Sequence, residues 1–270
     1  MVPIAQNLSK LFSLEGKVVL LTGAAGGIGS VLAEGFASLG AAMALCDIDL
    51  SRLEDIVDKI RSFGGTASCY HLDLADMKST VECAGLVIAD YDRVDVLVNC
   101  AGVNVREGFL DVEESTYDMI MNINLKGTYF ISQEIAKHMI KAERGVIINI
   151  ASHNSVGMLG GCSVYGASKS AIAALTRSMA VEWARFGIRA NAIAPGHILT
   201  DLTAVTWAHP ERSEYLRERI AMERPGDPEE LLGLSVLLAS DASSYITGSM
   251  IHVDGGCLAG GAPWPYDTKY

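Results

Sequence analysis

Basic side chains are scarce in this chain: 21 lysines and arginines stand against 32 aspartates and glutamates in 270 residues, a formal net charge of −11 at pH 7. Such a surface repels a phosphate backbone, so nucleic acid is not an expected partner. Cysteine is sparse too. The six thiols at 46, 69, 83, 100, 162 and 257 show no Cys-xx-Cys spacing and no neighbouring histidine pair, so neither a metal site nor a redox disulfide is expected. They read as reduced thiols, mostly small core fillers. Long apolar runs are missing: the least charged stretch, 18–33, is interrupted by glycines and fits a strand, turn and helix better than a membrane span. The opening MVPIAQNLSKLF lacks the charged start, extended apolar stretch and small-residue cleavage site of a secretory signal. A soluble, cytoplasmic protein is the expectation. The seven prolines form no linker, and no repeat or low-complexity tract divides the chain, so one domain over 1–270 is expected.

What the chain does have is apolar residues, 50% of the total, which is ample for a buried core. They fall in short runs: KVVLLT at 17–22, AMALCD at 42–47, TASCYHLD at 66–73, VDVLVN at 94–99, GVIINIAS at 145–152, IRANAIAP at 188–195 and SMIHVDGG at 249–256. Near-continuous Val/Ile/Leu runs suit strands covered on both faces. Helical segments are predicted between them, near 28–39, 50–63, 76–90, 113–141, 165–185 and 228–239, with Gly40 and Gly64-Gly65 as stops. The pattern predicts an α/β fold, a doubly wound seven-stranded parallel sheet with helices on both faces. Two segments do not fit the repeat: a looser region at about 197–226 and a Gly/Pro-rich tail from about 257. Excursions of that length often serve as lids or partner contacts.

The segment Thr22-Gly-Ala-Ala-Gly-Gly-Ile-Gly29 joins the first strand to the first helix of this repeat. Glycines at 23, 27 and 29 permit a tight turn and let main-chain N–H groups approach a pyrophosphate, although the spacing departs from Gly-x-Gly-xx-Gly. Asp47 ends the second strand, where a carboxylate accepts hydrogen bonds from the ribose hydroxyls of adenosine. Gly26 and Ile48 place no cation beside it, so a 2′-phosphate would be repelled and NAD is expected rather than NADP. Asp73 and Asn99 fall at strand ends, where open α/β sheets bind ligands; turn and capping roles compete there.

Tyr165 and Lys169 lie four apart on a predicted helix and therefore share a face. A phenol ionises near pH 10, and lowering that to about 7 takes roughly 4 kcal/mol of differential stabilisation. A neighbouring ammonium together with a positive nicotinamide ring are the expected sources, which would make Tyr165 the general base for oxidation of an alcohol. Ser152, after the fifth strand, can hydrogen-bond the same substrate oxygen.

Together these motifs closely resemble the short-chain dehydrogenase/reductases, over about 15–257. TGAAGGIG matches their glycine loop, and NCAG at 99–102 matches their NNAG with Cys100 in place of the second asparagine. Asn124 in NINLKG, Ser152 in INIAS, YGASK at 165–169, NAIAPG at 191–196 and ITGSMIHVDGG at 246–256 complete the match. The resemblance implies a catalytic tetrad of Asn124, Ser152, Tyr165 and Lys169, with Asn124 linking Lys169 to solvent through a water. It implies cofactor contacts from Gly23, Gly27, Ile28, Gly29, Asp47, Ile48, Asp73, Leu74, Asn99, Ala101, Gly102, Tyr165, Lys169, Pro195, Gly196, Ile198 and Thr200. Asp73 and Leu74 would meet the adenine, the 195–200 segment the nicotinamide carboxamide, and Lys169 the ribose hydroxyls. A homotetramer built from the two long helices and the last strand is implied as well.

Substrate contacts are expected from residues that follow these motifs: Asn104, Ser152, His153, Asn154, Met158 with its neighbour Leu159, Tyr165 and His197. A polar cluster of His and Asn suits a substrate with several hydroxyls, and the chain reads as an NAD-dependent dehydrogenase of a secondary alcohol in a sugar, sugar acid or polyol. Trp207 and His209 are candidates to close over it. Trp264 and Tyr266 in the tail are candidates to reach a neighbouring subunit. Two other readings compete: a reductase of 3-oxoacyl thioesters or other ketones, and a non-catalytic NAD-binding sensor.

Overall fold

The computed structural model describes residues 4–262, so Trp264 and Tyr266 lie outside the described residues. Seven strands form one parallel sheet: β1 (Val18–Thr22), β2 (Ala42–Asp47), β3 (Thr66–His71), β4 (Val96–Asn99), β5 (Gly145–Ile150), β6 (Ile188–Pro195) and β7 (Met250–Val253), in the order β3-β2-β1-β4-β5-β6-β7. Each expected strand is present and parallel to its neighbours. The direction of winding reverses between β1 and β4, so the loops that follow these strands diverge and leave a crevice at their carboxyl ends.

Alternation along the strands divides the core. Val19, Leu21, Val96 and Val98 pack with Leu32 and Phe36 of α2 (Gly27–Ser38), Leu53 and Ile60 of α3 (Leu50–Ser62), and Val236 of α10 (Leu232–Ala239). Leu20, Leu97 and Ile147 face the other way, towards Val87 of α4 (Met77–Tyr91), Ile131 and Ile135 of α6 (Thr128–Lys141), and Met179 of α7 (Ser163–Trp183). Both faces of the sheet are therefore dry, which is why its strands carry apolar residues at nearly every position. Side-chain caps set helix starts: Asp49 accepts from the Arg52 N–H at 3.2 Å and Asp76 from the Lys78 N–H at 2.9 Å.

Three features differ from the sequence reading. An N-terminal helix, α1 (Ile4–Phe12), precedes β1. The helix expected over 113–141 is α5 (Glu114–Met121) and α6 joined by a π-helical turn, Asn122–Gly127. That wider turn moves Asn124 off the regular helical face so that its side chain closes on the Val103 backbone. The looser region is itself helical, with α8 (Asp201–Trp207) begun by a Thr200–Thr203 capping box and α9 (Pro210–Arg217) begun by proline. Its two ends are tied together: Leu199 N–H donates to Gly226 at 2.8 Å and Gly226 N–H to His197 at 2.9 Å. Among the described residues no helix is long and apolar enough to cross a membrane.

Candidate active site

At the carboxyl end of the sheet a cleft of about 230 Å³ brings together Ser152, Tyr165 and Lys169 with Gly102, Asn104, His153, Asn154, Pro195, His197 and Thr200. Residues from the ends of three strands, β4, β5 and β6, and from α7 thus meet across one opening.

The glycine loop forms one side. A Cβ added to Gly23, whose φ is +68°, would lie 2.6 Å from the Ala101 backbone, and one on Gly29 would lie 2.1 Å from the Gly23 carbonyl oxygen. Only a bare backbone fits this turn. Gly27 faces Thr200 with a hypothetical Cβ at 2.9 Å, so the loop and the start of α8 are near neighbours. Asp47 braces the same loop: its Oδ2 accepts from the Ala25 N–H at 3.0 Å and its Oδ1 from the Asp49 N–H at 3.2 Å. Asp47 makes no ion pair among the described residues, and Ile48 beside it is exposed. A tight turn open at a helix N-terminus, with an unpaired carboxylate at the neighbouring strand end, fits the pyrophosphate and adenosine ribose of a dinucleotide.

Other expected cofactor residues carry structural duties. Asp73 Oδ1 accepts from the Ala75 N–H at 2.8 Å, an Asx turn just ahead of the Asp76 cap of α4. Leu74 is buried beneath Gly127, whose hypothetical Cβ would come within 2.6 Å of the Leu74 carbonyl oxygen. The Asn99 amide donates to Ser132 and to Asn149, both at 2.8 Å, inside the sheet. The N–H groups of Cys100 and Ala101 both point at Thr22 Oγ1, at 3.2 and 3.3 Å, which couples the loops after β1 and β4. Gly196 passes so close to Asp254 that a Cβ would sit 2.6 Å from its Cα, while Ile198 lines the cleft.

Of the catalytic candidates Asn124, Ser152 and Lys169 are buried and fixed, while Tyr165 is half-buried. Asn124 Oδ1 accepts from the Val103 N–H at 2.8 Å, and its amide donates to Val103 O at 2.9 Å and Ser168 Oγ at 3.1 Å. Lys169 Nζ donates to the Ile150 carbonyl at 2.7 Å and lies 5.8 Å from the centre of the Tyr165 ring. Ser152 Oγ accepts from the Asn154 N–H at 3.1 Å. A Cβ on Gly102 would lie 3.3 Å from both Asn124 Oδ1 and Lys169 Nζ, so that glycine leaves room between them.

The electrostatics correct one expectation. Burial pushes the Tyr165 phenol above its ordinary value, and a hydrogen bond with Ser152 pulls it part of the way back. Burial also brings the Lys169 ammonium down to about 8, with the neighbouring Cys100 acting in the opposite sense. Lys169 is directed at a carbonyl rather than at the phenol, so the polypeptide's own groups hold Tyr165 protonated. Cys100 is a neutral thiol in the cleft wall, pushed up to about 12 by burial.

The substrate side departs further from the sequence reading. Met158 is 62% exposed and rests over Gly166 of α7, outside the cleft lining, whereas its expected neighbour Leu159 does line the cleft. Asn104 and Asn154 do line the cleft, and each has a buried amide oxygen with no hydrogen-bond partner. His153 Nδ1 lies 3.1 Å from the Pro195 carbonyl; His197 packs on His153 with ring centres 4.7 Å apart, and Trp207 meets His197 edge-on at 6.3 Å. Burial lowers both imidazoles, His197 to about 4. His209 is exposed at the start of α9. The sequence reading passed over Arg106, which lines the cleft and approaches Thr206 at 3.4 Å. Its signal was its place two residues beyond Asn104, since a lone arginine in a loop has no pattern of its own.

Residues 23–257 match a family model described as enoyl-(acyl carrier protein) reductase. The chain is 39% identical over 254 residues to 2-dehydro-3-deoxy-D-gluconate 5-dehydrogenase of Dickeya dadantii, covering 92% of this chain and 98% of that protein. It is also 39% identical over 248 residues to the 3-oxoacyl-[acyl-carrier-protein] reductase FabG of Thermotoga maritima, covering 91% and 99% of the two chains. Among solved structures, a gluconate 5-dehydrogenase from Burkholderia cenocepacia in complex with NADP and tartrate superposes with a TM-score of 0.90 at 33% identity, covering 93% of this chain and 99% of that one.

Proposed function

The chain belongs to the short-chain dehydrogenase/reductase family, an oxidoreductase acting on CH–OH groups, and on that premise we propose that it oxidises a secondary alcohol of a sugar acid with NAD. The observation that carries the substrate class is the cleft wall. Two buried amide oxygens without partners, on Asn104 and Asn154, belong to residues that line the same cleft as Arg106. A buried acceptor without a donor costs about 1–3 kcal/mol, so these oxygens favour a ligand rich in hydroxyl groups. Arg106 supplies the forked donor that a carboxylate fits. The two sugar-acid dehydrogenases described above support the same class.

Tyr165 acts as the general base. Ser152, hydrogen-bonded to the phenol, donates to the substrate oxygen from the other side and holds it at the reacting distance. Lys169, anchored on Ile150, and Asn124, anchored on Val103, frame the route by which the proton leaves Tyr165. The chemistry that a nicotinamide dinucleotide would supply in this cleft is acceptance of the hydride, and a positive ring beside Tyr165 would lower the phenol that burial has raised. Gly23, Gly27 and Gly29 would receive the pyrophosphate, and the Asp47 carboxylate would receive the ribose hydroxyls. The absence of a cation beside Asp47 favours NAD; the NADP held by the Burkholderia relative makes this the point to measure. A homotetramer is part of the reading, supported by apolar side chains exposed on the long helices, Tyr129 at 43% and Val181 at 82%, and by the open edge at β7.

The test is a panel of aldonic acids, neutral polyols and 3-oxoacyl thioesters, followed by nicotinamide absorbance with each cofactor. Turnover should be fastest with an aldonic acid and NAD. Arg106→Gln should raise KM for that acid about thirty-fold, the equivalent of ~2 kcal/mol for a charged hydrogen bond, with kcat little changed. Faster reduction of a 3-oxoacyl thioester would assign the chain to the other branch of its relatives.

A further inference from the structure

Nothing in the spacing of cysteines and histidines announces a metal, yet the fold brings His153, His197 and Cys257 together at the rim of the cleft. One ligand-capable atom from each lies within 4.8 Å of the others. The three come from the ends of three adjacent strands: His153 after β5, His197 after β6 and Cys257 after β7. We propose that these residues form a binding site for a zinc-type divalent cation whose open coordination position faces the cleft.

Two features beyond proximity point to coordination. A carbonyl oxygen can only accept, so the His153 Nδ1 that lies 3.1 Å from Pro195 O must carry the proton. That leaves the lone pair on Nε2, and an N–H held by a backbone carbonyl is the usual support of a histidine that binds metal. Cys257 is fixed in a similar way. Asp254 accepts from the Gly256 N–H at 3.0 Å and the Leu258 N–H at 2.9 Å, so the turn that carries the thiol is clamped on both sides of it.

Ligand type selects the ion. Two imidazoles and a thiolate suit zinc, and magnesium or calcium would require oxygen donors. Zinc–nitrogen and zinc–sulfur bonds of about 2.0 and 2.3 Å place tetrahedral ligands about 3.3–3.6 Å apart, so the ring and thiol atoms close by about one ångström on binding. Coordination replaces the Cys257 S–H bond with a sulfur–metal bond, and the proton goes to solvent. Three protein ligands leave one position open, as in catalytic rather than structural zinc sites. His153 and His197 line the same cleft as Ser152 and Tyr165, so an oxygen-bearing ligand in the cleft can fill it.

The experiment uses the full chain after chelation and desalting, titrated with Co2+ as a spectroscopic stand-in for zinc. One Co2+ per chain with a thiolate-to-metal absorption band is expected, and excess Zn2+ should displace it. Cys257→Ser should abolish the band, whereas Cys69→Ser should leave it intact. His197→Gln should weaken Co2+ binding at least ten-fold, and it carries the test should Cys257→Ser fail to fold by circular dichroism. Absence of the band in the parent chain, its survival in Cys257→Ser, or unchanged affinity in His197→Gln would each overturn the proposal.

Discussion

The loop after β1 and the wall after β6 both lie at carboxyl ends of parallel strands, but they are built on opposite terms. Around the glycine loop the backbone leaves no space for a methyl group, with hypothetical Cβ contacts of 2.1 Å at Gly29 and 2.6 Å at Gly23, and Asp47 clamps it from the side. The wall after β6 is a helical excursion tied at its base, and it leaves large apolar side chains in solvent, with Leu202 78%, Val205 69% and Met222 65% exposed. A surface packed to that limit accommodates a single ligand shape, here a dinucleotide. A wall tied at its base and by a few single bonds, such as the Met222 N–H to the Gly255 carbonyl at 3.0 Å, can differ among relatives that share the chemistry. That contrast explains how one level of identity, 39%, links this chain both to a sugar-acid dehydrogenase and to an acyl-carrier-protein reductase.

The sharpest way to probe the contrast is to remove chemistry without touching either surface. Tyr165→Phe keeps the ring and deletes the hydroxyl, so turnover should fall about a thousand-fold while cofactor affinity, measured by quenching of protein fluorescence, stays within a factor of a few. Comparable turnover in the variant would show that another group takes the proton.

On the rigid side, Gly29→Ala should cost about 3 kcal/mol, because the added methyl meets backbone that cannot move aside, and should weaken cofactor binding about a hundred-fold. Isothermal titration against either cofactor reads this directly. An unchanged affinity would mean that the loop is more pliant than its packing indicates. Asp47→Asn removes the repulsion toward a 2′-phosphate and should shift the ratio of kcat/KM for NAD over NADP towards NADP by about ten-fold. A ratio that does not move would remove Asp47 as the selector.

The smallest effect concerns Lys169, whose burial brings it to about 8 from an ordinary 10.5. Between those values the unfolded chain binds the extra proton, so this residue's contribution to stability rises with pH from about 8 to 10.5. Lys169→Met should therefore melt above the parent at pH 7, with the difference narrowing by a few degrees as the pH is raised across that window. A constant difference would place the ammonium in a better-solvated setting than its carbonyl partner implies.

The division between the two surfaces also governs what was legible in the sequence. Near-continuous apolar runs announced all seven strands because a sheet covered on both faces needs them. The glycine loop, Asp47, Ser152, Tyr165 and Lys169 were legible because each depends on local spacing or on a strand end. The π-helical turn at Asn122–Gly127 was not, since it is set by Asn124 reaching the Val103 backbone twenty-one residues away. Arg106, the exclusion of Met158 from the cleft and the meeting of His153, His197 and Cys257 depend on how separate loops fold over one another, and no short-range periodicity records that. The raised Tyr165 phenol belongs with these, because helical spacing placed Lys169 on the right face without revealing that its ammonium is held by the Ile150 carbonyl.

A crystal structure with NAD and a slowly oxidised aldonic acid bound tests the central claim most directly. It should show one substrate hydroxyl within hydrogen-bond reach of both Tyr165 and Ser152, other hydroxyls donating to the amide oxygens of Asn104 and Asn154, and the carboxylate on Arg106. A substrate lying with its carboxylate in solvent and those two amides still without partners would contradict the account.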